Sequence, residues 1–166
     1  FMRLLLAIGP ALARRVERWC KNRVDVLEHS GEGVSLMQTW AGREAVVILD
    51  AVRSGRPEGT VYRIDGHADR IPSRFFHYST HAFGVAEAIA MARTLGTLPP
   101  ALILFGIEGA RFGTGTALSP AVEQAMRAVL PEVIAELRRL GAPLRKPRKQ
   151  IVKQRPCMNS VSYKTS

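Results

Sequence analysis

EAVVILDAV, residues 44–52, is an almost unbroken run of apolar side chains with one carboxylate inside it, Asp50. A run this short, apolar and β-branched is typical of a central strand that is buried on both faces, and such strands belong to parallel sheets covered by helices. Ligands of open α/β sheets bind beyond the carboxyl ends of the strands, so Asp50 is a candidate site residue. The alternative is a structural role, in which Asp50 caps the following loop through the backbone of Val52 or Arg53.

Four other segments predict strands. Residues 3–9 (RLLLAIG) and 101–107 (ALILFGI) match the first run in length and apolar character, so both are expected to be buried parallel strands. Residues 24–28 (VDVLE) alternate polar and apolar, which is typical of a more exposed strand. Residues 60–64 (TVYRI) follow the first run too closely for a helical crossover, which predicts an antiparallel edge strand.

Helices are predicted between the strands from apolar periodicity and capping residues. They cover residues 11–21, 34–40, 85–95 and 119–140; Gly42 and Gly96 are expected to end two of them, and Ser119 with Pro120 to begin another. The sequence therefore predicts an α/β fold, a three-layer α/β/α sandwich whose mostly parallel sheet has about five strands with one antiparallel edge strand.

Charge is concentrated at one end of the chain. Of 24 basic residues, residues 141–166 hold seven and no acid, which leaves 17 basic and 14 acidic residues before them. We therefore predict one domain over residues 1–140 and a basic, disordered tail over residues 141–166. The tail carries no base-reading motif, so no specific nucleic acid partner is expected. Since no run of about 18 apolar residues exists, no membrane association is expected either, and we predict a cytoplasmic protein.

Histidine and acidic side chains provide further candidates. Ser79 or Thr80 is a candidate cap of the helix over residues 85–95, which would place His81 in its first turn, where the helix dipole favours a neutral imidazole able to bind a metal or accept a proton. The alternative is a histidine bonded to a nearby carbonyl group. A second cluster (Glu28, His29 and Glu32) lies in a glycine-rich turn; its spacing matches no zinc pattern, so a structural turn is favoured over a metal site.

Four segments in matching order resemble the hydrogenase maturation proteases. They are residues 48–52 (ILDAV), 79–85 (STHAFGV), 104–108 (LFGIE) and 118–122 (LSPAV). The resemblance implies an endopeptidase that removes the C-terminal extension of the nickel-iron hydrogenase large-subunit precursor. It also implies that Asp50 and His81 are the catalytic residues and two of three protein ligands of nickel, and that this nickel is carried by the substrate protein. A monomer is the simplest expectation for such an enzyme.

The resemblance departs at Gly9 and Pro10. In the family a loop with acidic residues follows the first strand, and one of its acids is the third ligand; here that loop is absent. Either the loop is deleted, or a mobile segment is missing from the sequence. After a deletion, Glu28, Glu32 or Glu108 are candidates to replace the missing ligand. A deletion also supports an alternative function, a catalytically inactive relative that only binds metal or a hydrogenase subunit.

Overall fold

The computed structural model describes residues 3–7, 16–18, 24–71, 83–109 and 118–141, and for residues 3–7 the backbone alone. Five strands and three helices lie within these ranges. In chain order they are β1 (Arg3–Ala7), β2 (Val24–Glu28), α1 (Gly33–Trp40), β3 (Ala45–Val52), β4 (Val61–Asp65), α2 (Val85–Leu95), β5 (Ala101–Glu108) and α3 (Pro120–Arg139). Of the helix predicted over residues 11–21, residues 16 and 17 are described, and they are helical.

The five strands form one mixed sheet in the order β2-β1-β3-β5-β4. Strands β2, β1, β3 and β5 are parallel, and β4 runs antiparallel to β5 at the edge. The three apolar runs therefore occupy the three central positions, and the predicted antiparallel edge strand is confirmed. In the register of the sheet, Asp50 pairs with Gly106 and Val52 pairs with Glu108.

Each face of the sheet is covered by helices, which gives the predicted three layers. Odd-numbered residues of the central strands pack with α3 on one face: Val47, Leu49, Ile103 and Phe105 are all buried there. Even-numbered residues pack with α1 and α2 on the other face: Val46, Ile48, Leu102 and Leu104 are buried there. Burial on both faces explains why these strands are apolar without alternation.

The helix ends follow local signals in most places. Gly96 takes the left-handed conformation at φ +66° and ends α2, and Gly42, at φ +70°, lies just beyond the end of α1. Ser119 caps α3 by accepting a hydrogen bond from the Val122 N–H, with Pro120 in the first position. These three predicted helix ends are confirmed.

The predicted start of α2 is wrong. Gly84 is the N-cap, and its N–H donates to the carboxylate of Glu87 at 3.1 Å, so neither Ser79 nor Thr80 caps this helix. The carboxylate three residues after the cap satisfies the backbone N–H of Gly84, as in a capping box, so the helix is capped four to five residues after the predicted cap positions. His81 therefore precedes the helix, and the argument that a helix dipole keeps its imidazole neutral no longer holds.

Among the described residues, no helix is both long and apolar enough to cross a membrane. The division between a domain over residues 1–140 and a tail over residues 141–166 stays a prediction, because residues 142–166 lie outside the described ranges.

Candidate active site

Asp50 is the one acidic side chain within strand β3. It lies on the face of the sheet that α1 and α2 cover, in alternation with Ile48 and Val52, and it is half-buried. Its Oδ1 accepts a hydrogen bond from the N–H of Ala51 at 2.7 Å. Within the described part of the chain this is the only hydrogen bond of the side chain, so Asp50 does not cap the loop through Val52 or Arg53, and Oδ2 has no hydrogen-bonding partner.

Burial raises the pKa of the Asp50 carboxyl group to about 7, and the hydrogen bond from Ala51 only partly opposes this rise. A nearby cation strongly stabilises the ionised form of such a carboxyl group, because its positive charge replaces the hydration that burial has removed. The geometry and the raised pKa together make Asp50 a good candidate for binding a divalent metal ion through Oδ2.

The starts of α1 and α2 meet on the same face as Asp50. The Gly33 N–H donates to the carbonyl oxygen of Phe83 at 2.9 Å. Strand β5 begins at the amino edge of the sheet soon after α2 ends. Helix α2 must therefore begin near the carboxyl edge, which is the edge at which β3 ends. His81 lies two residues before Phe83 but outside the described residues, so the predicted convergence of His81 and Asp50 on one metal ion stays a prediction.

Glu108 is the second acidic residue at the carboxyl edge, and the sequence did not predict its structural role. The side chain is buried, and its two oxygens accept hydrogen bonds from the Ser54 N–H at 2.9 Å, the Gly55 N–H at 3.0 Å and the Ser54 hydroxyl at 2.7 Å. The Ser54 hydroxyl also hydrogen-bonds the phenol of Tyr62. The signal in the sequence was an acid directly after one predicted buried strand and a Ser-Gly pair one residue beyond the end of another.

The remaining candidates serve the local backbone. Glu32 caps α1 by accepting hydrogen bonds from the N–H groups of Val34 at 2.9 Å and Ser35 at 2.7 Å. In His29, Nδ1 accepts from the Gly31 N–H at 3.0 Å and Nε2 lies 3.2 Å from the Ser35 hydroxyl. These bonds confirm that the cluster of Glu28, His29 and Glu32 is a structural turn.

A third ligand is not assigned. Where side chains are described, no three His, Cys, Asp or Glu residues group closely enough to hold a metal ion. Glu32 and Glu108 use their oxygens for backbone donors, and Glu28 is exposed at the end of β2, two strands away from β3. The full sequence runs directly from Gly9 to Pro10, so the explanation by a missing mobile segment is wrong and the acidic loop of the family is absent at this point. The structure of the junction lies outside the described residues.

In a comparison with protein families, residues 8–136 match the family model described as HycI, hydrogenase maturation protease. This chain belongs to the hydrogenase maturation proteases. The predicted family resemblance is thereby confirmed, and the matched segment spans every described strand and helix from β2 to β5 and most of α3.

Curated members of the family are similar along most of their length. The chain is 28% identical over 139 residues to the hydrogenase 2 maturation protease of Escherichia coli K12, a match that covers 81% of this chain and 84% of that protein. It is 25% identical over 152 residues to the hydrogenase expression/formation protein HupD of Thiocapsa roseopersicina, covering 87% of this chain and 67% of that protein.

Solved structures of endopeptidases share the fold. The solution structure of an endopeptidase from Escherichia coli superposes with a TM-score of 0.70 and 25% identity, covering 86% of this chain and 96% of that one. The hydrogenase maturating endopeptidase HybD from Escherichia coli superposes with a TM-score of 0.68 at 22% identity, covering 87% and 96%. The predicted α/β sandwich is therefore the fold of this protease family.

Proposed function

We propose that this protease is an endopeptidase that recognises nickel in the large-subunit precursor of a nickel-iron hydrogenase and removes the C-terminal extension of that precursor. Nickel is part of the substrate in this proposal. Asp50 and His81 bind it as two protein ligands, and the ligands of the precursor complete its coordination. The observation that carries the proposal is Asp50: a half-buried carboxyl group at the binding edge of the sheet, with one oxygen unused by the described residues.

The residue types fit the metal. Carboxylate and imidazole groups both bind nickel(II), and a site with few protein ligands leaves positions open for those of the substrate. A buried carboxyl group binds a cation more strongly than an exposed one, because less water competes for the cation. The Ala51 N–H supports this role, since a bond to Oδ1 fixes the orientation of the group and leaves Oδ2 to face the metal.

The test is the processing of purified precursor with and without nickel. We expect a shortened product from nickel-loaded precursor only, detected by its mass. Substitutions around metal sites that do not touch the metal typically cost ~10- to 100-fold in activity, so Asp50→Asn, which replaces an anionic ligand by a weaker neutral one, should cost at least about 100-fold. Asp25→Asn is the matched control, because Asp25 lies on a strand of the same sheet, level with Val46 rather than with Asp50, and pairs with Arg43 at the surface.

Three results would count against the proposal. Equal cleavage of nickel-free precursor would refute nickel recognition, and normal cleavage by Asp50→Asn would remove Asp50 from the site. An intact precursor after incubation with the wild-type protein would favour the alternative, a relative that only binds metal or a hydrogenase subunit. The cytoplasmic location and the monomeric state stay predictions from the sequence.

A further inference from the structure

We infer that Glu108 is a positioning residue for this protease: by holding the segment that leaves β3, it fixes the place of Asp50 beside the substrate. The inference rests on the proposed function, because it assigns a task to Glu108 only if Asp50 takes part in the reaction. Glu108 itself contacts no reacting group in this assignment. It acts through the backbone and side chain of Ser54.

Glu108 and Asp50 lie close to each other in the sheet. Asp50 pairs with Gly106 and Val52 pairs with Glu108, so Glu108 lies one strand across from Asp50 and two residues further toward the carboxyl edge. The usual spacings within sheets put their Cα atoms roughly 8 Å apart. Both side chains lie on the face that α1 and α2 cover, because Leu102, Leu104 and Glu108 alternate to that side.

Glu108 also holds both ends of the loop between β3 and β4. Its side chain binds the outgoing end through Ser54 and Gly55. Its backbone binds the returning end, since its carbonyl oxygen accepts from the Gly59 N–H at 2.9 Å and its N–H donates to the Thr60 carbonyl oxygen at 2.8 Å. A single residue thus holds the loop that follows β3 in place, from Ser54, which lies four residues after Asp50, to Thr60.

Loss of the Glu108 carboxylate removes the acceptor of two backbone N–H groups. Glu108 is 3% exposed and Ser54 is partly buried, so removal of the carboxylate leaves the Ser54 N–H without its acceptor where water has limited access, while the exposed Gly55 N–H must turn to solvent. The segment would then have to move outward to solvate these donors. Such a movement begins two residues after Val52 and pulls on the strand that carries Asp50, and a displacement of about 1 Å at a reacting centre can cost 100-fold in rate.

The experiment compares Glu108→Ala and Glu108→Gln with the same substitutions at Glu136. Glu136 is a matched control, because it is the other buried acid of the described residues and it binds Arg63 and Arg139 on the opposite, α3 side of the molecule. The values of kcat and KM for nickel-loaded precursor are measured at a temperature at which all variants are folded. Hydrogen exchange of the Ala51, Ser54 and Gly55 amides is measured on the same proteins.

We expect Glu108→Ala to lower kcat/KM by about tenfold to a hundredfold and to lower the protection of all three amides. Glu108→Gln should retain most activity, because its carbonyl oxygen can accept from Ser54 and Gly55 and its amide can donate to the Ser54 hydroxyl. The Glu136 variants should keep the wild-type kcat/KM even where their melting temperatures fall as far as those of the Glu108 variants.

The inference is overturned if Glu108→Ala cleaves at the wild-type rate, if a Glu136 variant loses as much activity, or if Glu108→Gln is as inactive as Glu108→Ala. The last result would mean that the charge of Glu108 acts directly on metal or substrate. A wild-type protein that leaves the precursor intact would refute the proposed function instead. Hydrogen exchange then decides the inference alone, and unchanged protection of Ala51 in Glu108→Ala would overturn it.

Discussion

Folding disfavours the ionised form of Asp50, which is the form that the proposed metal binding requires. Burial raises the pKa of this carboxyl group from 3.8 to about 7. The unfolded chain therefore releases the proton at a lower pH than the folded chain does. The contribution of Asp50 to stability is fully present below about pH 4 and is lost as the pH rises through 7; the full loss is of the order of 4 kcal/mol as an upper estimate.

The corresponding prediction concerns Asp50→Asn. Asparagine cannot ionise, so the variant should be more stable than the wild type by a few kcal/mol at pH 8, and this advantage should largely disappear at pH 4.5. Urea unfolding of both proteins at the two pH values measures the difference. Asp25→Asn is the control: the Asp25 side chain is 49% exposed and its partner Arg43 is 14% exposed, so loss of this ion pair should change stability by at most about 1–2 kcal/mol. An Asp50→Asn advantage that does not grow with pH would contradict the assigned cause.

At the scale of elements, the contact between α1 and Phe83, two residues before α2 begins, depends on Gly33. A Cβ atom on Gly33 would lie 2.1 Å from Cδ1 of the Phe83 ring and 3.1 Å from the carbonyl oxygen of Gly84. Gly33 therefore lets the backbone of α1 approach the segment that leads out of the His81 region. The same approach allows the hydrogen bond from the Gly33 N–H to Phe83.

Gly33→Ala is expected to lower the free energy of unfolding by about 1–3 kcal/mol, because the ring and the backbone near Gly84 must move. Val34→Ala is the control: Val34 is the next residue of α1 and is 54% exposed, so its truncation should cost within about 0.5 kcal/mol. In a Phe83→Ala background the ring is gone, and Gly33→Ala should cost less. Equal costs in the two backgrounds would show that the ring is not the obstacle.

The elements show what the sequence could predict and what it could not. The three central strands were predictable because burial on both faces makes them apolar throughout, and the antiparallel edge strand followed from a loop too short for a crossover. The start of α2 was missed, because the cap is a glycine whose N–H is satisfied by Glu87. The link between Glu108 and Ser54 was missed because 54 residues separate them, and only the register of β3 and β5 brings them together.

At the scale of the whole molecule, much of the positive charge lies in the sequence after the last described helix. All described strands and helices end by Arg139, whereas residues 141–166 carry seven basic residues and no acid. The net charge of the chain therefore comes largely from residues that follow the described strands and helices.

The disordered tail predicted from the sequence leads us to expect that a chain ending at Gly141 keeps its melting temperature and its processing activity but loses most non-specific binding to polyanions. Binding of such a tail to DNA depends on counterion release, so the slope of log K against log salt concentration should flatten by up to about 6 when seven cations are removed. Titration of duplex DNA at several salt concentrations measures the slope. A chain whose residues 142–166 are shuffled is the control, and it should keep the wild-type slope because charge alone sets it. A truncated protein that folds normally yet no longer cleaves the precursor would contradict the prediction and would make the tail an arm that binds the precursor.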